Sequence, residues 1–422
     1  MNVADLDRIL ARQDSITSWQ DDLYVHFHRN PELSFVEHRT HDRIAAELAA
    51  IEQVEVIGRI GETGLVGVLR NGDGPTVLMR ADIDGLPVRE LTGLDYASTA
   101  QGTSVDGETS PVMHACGHDV HITGLLGATR LLAENTDCWS GTFVALFQPA
   151  EERGGGAAKM VADGLTERIP RPDVAFSQHV TPLPSGEVHA CVGPAYSTAD
   201  SVKVTVFGRG GHGSAPHTTI DPAVLVSSIV LRLQSIVSRE IRPGDFAVVT
   251  VGKIVVGNKV NIISDCGELQ INVRSYSEST RSRILASIER IVTAECEASG
   301  SPKPPTFEYF DQFPITINDE AVTTRLRGAF AEAFGDRYTE RPRSGGSEDF
   351  SHIPEAFGIP YCYWNVGGMD RETFKDAEKR GTIMSEIPMN HSPFFAPVMH
   401  PTLEAATKAI LVAVLEWAPA TG

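Results

Sequence analysis

The 422-residue chain carries only six cysteines, at 116, 138, 191, 266, 296 and 362, too few and too scattered for a disulfide framework. No apolar run approaches the roughly 20 residues of a membrane span. The start, MNVADLDRILARQDS, is charged and lacks the apolar stretch of a signal peptide, so a cytoplasmic protein is expected. Positive charge is short as well: 36 Lys+Arg against 55 Asp+Glu leave a net charge of −19. That balance repels phosphates and anionic lipid and argues against nucleic acid or a membrane as partner. A serine hydrolase of the elbow type is removed by the lack of any G-x-S-x-G. There is no internal repeat and no low-complexity tract.

What is present is enough apolar residue, 41%, for a large core and for two domains. Helical spacing over the first 51 residues, interrupted at NPELS, predicts two opening helices. GLVGVLR (64–70) and TVLMRADID (76–84), parted by the turn-like NGDGP, read as a strand pair. A helix from His118 to Asn135, the buried strand GTFVALFQPAEE (141–152) and a helical GAAKMVADGLTE follow, an alternation that implies α/β layers. From Cys191 the texture becomes that of an α+β unit, with strands VKVTVFGRGG, FAVVTVGKIVVG and ELQINVRSYS and helices near 220–240 and 278–297. SPKPP (301–305) reads as the connector back. The expected organisation is a discontinuous α/β catalytic domain, 1–190 and 304–422, with a smaller α+β domain inserted at 191–303.

MHACGHDVHITG (113–124) crowds three histidines, a cysteine and an aspartate into twelve positions. Cys116 and His118 are two apart, so on an extended segment both face one side, and thiolate with imidazole suits zinc-like divalent metals. Singly, a buried cysteine is more often packing. His114 and His121 read as supporting or hydrogen-bonded core groups, and Asp119, beside a ligand, as a residue that orients a histidine ring. In FQPAEERGGG one carboxylate of Glu151 and Glu152 could bind metal while the other addresses water, a division that suits hydrolysis; a solvated turn is the plain alternative. His179 ends the apolar VAFSQHV, and His391 lies in the polar island NHSPFF. Each alone is an ordinary core histidine. Together with Cys116, His118 and a glutamate they make five ligand-type residues, more than one ion with an open position needs, which favours a two-metal site. The G-x-G-x-x-G at Gly208, Gly210 and Gly213 is not read as a dinucleotide motif, because Pro216 delays the helix that motif requires. Its glycines instead present His212 outward.

HRNPELSFVEHRT, RADIDGLP, MHACGHDVH, QPAEE, QHV, GGHGSAPH, NIISD with a later NVR, GSEDF and NHSPFF, in that order, resemble the M20 metallopeptidase family, specifically its amidohydrolase branch of aminoacylase, hippurate hydrolase and indole-acetyl-amino-acid hydrolase types. The resemblance spans nearly the whole chain. It implies two divalent metal ions per subunit, zinc or manganese first with cobalt and nickel as further candidates. Their ligands would be Cys116, His118, Glu152, His179 and His391, with Cys116 bridging and Glu151 as general base and acid. It implies that the inserted domain is a lid used for homodimerisation, that His212 stabilises the oxyanion in its own or the neighbouring subunit, and that Asn261 and Arg274 meet the substrate carboxylate, as a guanidinium can do bidentately. Asp82, with Asp84, is expected to support the site from a strand end.

Arg153, where glycine is more usual, and IISD depart from the family pattern without touching a ligand. The implied activity is hydrolysis of N-acyl-amino acids. A dipeptidase or a biosynthetic deacetylase of the same fold is the alternative, and a non-catalytic binding protein the remoter one.

Overall fold

The computed structural model describes residues 1–420. Two compact units divide the chain: Met1–Ala195 with Ile317–Arg343 and everything from Asp349 on, and Tyr196–Thr316 with Ser344–Glu348. The return therefore falls beyond the expected 303/304. SPKPP is a turn inside the second unit, because the strand after it, Thr306–Phe313, pairs with Thr198–Phe207.

The first unit is built on an eight-stranded sheet in the order Val54–Ile60, Gly64–Asn71, Gly141–Gln148, Thr76–Asp82, Val174–Pro184, Tyr361–Met369, Val188–Ala190, Tyr338–Glu340. The expected pairing of 64–70 with 76–84 does not occur. Gly141–Gln148 lies between them, antiparallel to one and parallel to the other, because its apolar run Phe143–Phe147 is buried on both faces in a central position. Four neighbouring strands, 141–148, 76–82, 174–184 and 361–369, run parallel. Their C-terminal ends form one edge, the place where α/β sheets put their chemistry.

Helices cover this sheet. Met399–Trp417 and His118–Ala133, apolar nearly all round, are buried in the core, while three helices rather than two open the chain: Val3–Leu10, Gln13–Arg29 and His38–Ala49.

The second unit is a four-stranded antiparallel sheet, Ala247–Val256, Cys266–Ser275, Thr198–Phe207 and Thr306–Phe313, with its helices on one face. Strict alternation buries Val202, Val204 and Val206 and, beside them, Leu269, Ile271 and Val273 against Leu225, Ile229, Ile284 and Ile288 of those helices. Asp200, buried in this unit, is gripped bidentately by Arg281 at 2.7 Å on each oxygen. One helical segment here, Pro222–Glu240, is after all long and apolar enough by length and composition to cross a membrane. Its Leu225, Val226, Ile229 and Leu233 are spent on the unit's core.

Candidate metal centre

Cys116 and His118 do not converge by alternation on an extended segment. Gly117 between them takes φ 79°, and His118 opens the helix His118–Ala133. The left-handed turn is what brings both side chains to one place, and a Cβ at Gly117 would lie 2.3 Å from Val180 Cγ1, so only glycine fits. Glu151 and Glu152 likewise sit in a single tight helical turn, not on a strand, which ends at Gln148. Ala150 before them is left-handed (φ 48°), as is His391 (φ 70°), whose N–H donates to Ala115 O at 2.8 Å. Non-glycine residues held in this region signal backbone strain fixed by its surroundings.

The structure gathers all five expected ligand residues. Sγ of Cys116 lies 3.3 Å from His179 Nε2 and 3.3 Å from His391 Nε2. Glu152 spans the gap, Oε1 3.7 Å from His118 Nε2 and Oε2 3.4 Å from His391 Nε2. Two triads result, Cys116–His118–His179 and Cys116–Glu152–His391, each with its ligand atoms within 4.8 Å of one another. Cys116 belongs to both.

The field at the site favours a cation, which on binding displaces the protons of His118 and Cys116. His179 lies inside its strand rather than at the end of it. Its Nδ1 donates to Val180 O at 2.6 Å, which leaves the Nε2 lone pair facing Cys116. Burial, then His121, hold its pKa well below the usual histidine range, so the ring is neutral. For His118, burial lowers the pKa, but Asp82, Asp84 and Glu152 outweigh it and raise it to about 10, a field that draws positive charge into this spot. Burial and the carboxylates of Glu152, Glu151 and Asp82 push the Cys116 thiol up. Both His118 Nε2 and Glu152 Oε1 are buried without a hydrogen-bond partner. Leaving such atoms unpaired costs about 1–3 kcal/mol each. A divalent cation satisfies both, and the sulfur, nitrogen and oxygen donors are those of zinc-like metals.

His121 is hydrogen-bonded through both ring nitrogens, as a supporting group would be: its Nε2 accepts from Val180 N at 2.8 Å and its Nδ1 meets Asp82 Oδ1. Burial alone would raise the pKa of Asp82, but His118, Arg80 and His121 hold it well below the usual range. Asp119 meets a histidine ring, that of His28 at 2.7 Å, which is not among the five expected ligands. His28 reaches Glu90 with its other nitrogen at 3.0 Å; burial depresses it, yet the two carboxylates lift its pKa to about 9. Neither ring nitrogen of His114 meets a hydrogen-bond partner, and burial lowers its pKa to about 4.

Two buried groups, Arg80 and Glu37, escaped the sequence reading, and Asp84, expected to support the site, stands beside them. Arg80 joins Gln148, Asp82 and Asp349; its only signal was a lone charge inside an apolar strand. Asp84 accepts from the N–H groups of Glu151 (3.2 Å) and Glu152 (3.1 Å) and lies 3.3 Å from His118 Nδ1. Glu37, fully buried, accepts from Ala150 N at 2.8 Å and Thr63 Oγ1 at 2.6 Å.

Burial, then the charge of Asp84, push the Glu37 pKa up to about 8. A carboxyl raised in this way adds stability below its unfolded pKa, near 4.5, and loses it as pH climbs through about 8. Relative to Glu37→Gln, whose amide does not titrate, the native chain should lose on the order of 1 kcal/mol of stability per pH unit across that window. Urea unfolding of both proteins between about pH 5 and pH 8 checks this. A pH-independent difference would contradict it.

In the second unit, His212 Nδ1 lies 3.1 Å from Ser214 N, which donates to it, and 2.7 Å from Ser214 Oγ. That fixes the tautomer with hydrogen on Nε2, the exposed one. His212 pairs with Ile262, next to Asn261, whose carbonyl accepts from Gly213 N at 2.9 Å. Arg274 uses Nε on Asn272 and Nη1 on Gly345 O and Ser347 Oγ, so part of its guanidinium fork is engaged within this unit.

Residues 78–379 match the model of peptidase family M20/M25/M40. The chain belongs to that family. Among M20 relatives, IAA-amino acid hydrolase ILR1-like 4 of Arabidopsis thaliana is 34% identical over 392 residues, 92% of this chain and 83% of that one. Thermostable carboxypeptidase 2 of Saccharolobus solfataricus is 36% identical over 385 residues, 90% and 91% of the two chains. The crystal structure of a dinuclear metal-binding M20 peptidase of Bacillus subtilis superposes with a TM-score of 0.74 at 26% identity, over 96% of this chain and 99% of that one.

Proposed function

We propose that this M20 chain is a metal-dependent amidohydrolase that cleaves the amide joining an acyl group to an amino acid. The observation that carries the reading is the pair of triads sharing Cys116, with a Glu151 carboxylate oxygen within 4.8 Å of those of His118 and Glu152. A binding protein has no use for a base there. Cys116, His118 and His179 would hold one divalent cation, and Cys116, Glu152 and His391 a second, zinc or manganese first and cobalt or nickel after. When bound, such ions polarise a carbonyl and lower the pKa of water toward about 7. Glu151 takes a proton from the attacking water and delivers it to the leaving nitrogen, so that the amine departs neutral. His212 donates its Nε2–H to the carbonyl oxygen as that atom gains charge. Asn261 and Arg274 bind the substrate carboxylate.

The relative named as an IAA-amino acid hydrolase supports an acylated amino acid as substrate. The relative named as a carboxypeptidase favours a second reading, release of the last residue of a peptide, since both substrates place an amide beside a terminal carboxylate. Turnover of N-acetyl-amino acids, benzoyl-glycine and free dipeptides separates the readings. Acyl-amino acids should be cleaved fastest, and faster cleavage of dipeptides would overturn the first reading.

A homodimer through the second unit completes the proposal. Val224 and Leu231 are exposed on the helix Pro222–Ser235, and Ile254 and Val255 on the edge strand Ala247–Val256. Leu231→Glu should convert a sedimenting dimer to monomer.

A further inference from the structure

Three consecutive backbone amides lead the chain into the two glutamates of this site, and each donates to a buried carboxyl group from a distant part of the chain. Ala150 N donates to Glu37 Oε1 at 2.8 Å, Glu151 N to Asp84 Oδ1 at 3.2 Å and Glu152 N to Asp84 Oδ2 at 3.1 Å. The two carboxylates have different reach. Asp84 also stands 3.3 Å from His118 Nδ1 and accepts from Ser34 Oγ at 2.7 Å, so it serves the ligand set directly. Glu37 touches no ligand; its other oxygen accepts from Thr63 Oγ1 at 2.6 Å, and Thr63 O in turn accepts from His41 Nδ1 at 2.8 Å.

What Glu37 holds is the residue under strain. Ala150 has φ 48° and ψ 43°, a region that its Cβ disfavours and that persists only when neighbours over-determine it. The Ala150 dihedrals set the direction in which the chain enters Glu151. Were Ala150 to relax to an ordinary conformation, the Glu151 amide would leave Asp84 Oδ1 and its side chain would swing. Glu152 would keep its own bond to Asp84 Oδ2.

We infer that Glu37 is a positioning residue for the reaction: acting through the left-handed Ala150, it aims the Glu151 carboxylate, while Asp84 secures the metal-facing Glu152 and His118. The inference rests on the reading of Glu151 as the proton carrier. A misplacement of about 1 Å at such a group costs on the order of a hundredfold in rate.

The test compares the native chain with Glu151→Gln, Glu37→Leu, Thr63→Val and the double variant Glu37→Leu/Ala150→Gly, measuring kcat, KM and metal content per chain. Thr63→Val keeps the Glu37 carboxylate and removes only its brace, so it reports even where Glu37→Leu folds poorly. Expected are a kcat lowered by about tenfold to a hundredfold in Glu37→Leu and less in Thr63→Val, with KM and metal content unchanged. Glycine at 150 adopts the left-handed turn unaided, so the double variant should regain part of that kcat. Native kcat in both Thr63→Val and Glu37→Leu would overturn the inference. So would a fall in kcat that tracks metal loss and is not relieved by Ala150→Gly, since that is what a merely structural role predicts. Native activity in Glu151→Gln would instead overturn the underlying reading of Glu151, an outcome distinct from the other two.

Discussion

Glu151→Gln is expected to keep the fold and the metal content and to lower kcat by about a hundred- to ten-thousandfold with KM little changed. Glutamine has the shape of glutamate and leaves the backbone bond from Glu151 N to Asp84 untouched. It cannot accept a proton. The residue is buried, 6% exposed, in the turn that follows a central strand and within reach of His118 and Glu152. Steady-state kinetics with elemental analysis of the same sample checks the claim. A native kcat would remove Glu151 from proton transfer and return the pair Glu151–Glu152 to a purely metal-binding role.

His212→Ala should cost about a hundred- to a thousandfold in kcat, the usual loss for one oxyanion donor. The tautomer of the ring decides this. Because Ser214 N donates to Nδ1, the hydrogen of the neutral ring must reside on Nε2, the atom an oxyanion needs. His212 belongs to the second unit and to neither triad, so metal content should not change. His212→Gln, which retains a side-chain N–H donor, should recover part of the rate. Unchanged turnover in His212→Ala, or a loss explained by missing metal, would contradict the assignment.

The candidate site was legible in the sequence where its residues stand in short polar islands between apolar strands. MHACGHDVH, QPAEE and NHSPFF each announce ligand-type groups by local contrast, and five such groups from four segments meet around Cys116. What could not be read is how each residue is delivered. Alternation placed Cys116 and His118 on one face of an extended chain, but a left-handed Gly117 does the work instead.

Nor could pattern show contacts between distant segments. Glu37 and Ala150 are 113 positions apart, and His28 and Asp119 are 91 apart, so nothing in local periodicity links them. Sheet order was hidden for the same reason: 64–71 and 76–82 are apolar enough to pair with anything, and the turn between them suggested each other, whereas the more apolar 141–148 takes the place between.

Metal content is the most direct test of the central claim, that two triads sharing one thiolate form a binuclear amidohydrolase site. Protein purified without chelator, and the Cys116→Ala variant beside it, would be assayed by elemental analysis and for hydrolysis of N-acyl-amino acids before and after chelation. The account predicts about two divalent ions per native chain, turnover abolished by chelator and restored by added metal, and a loss of both ions' retention in the variant. Native protein that retains no metal even after reconstitution, or that hydrolyses its substrate undisturbed by chelator, would contradict it.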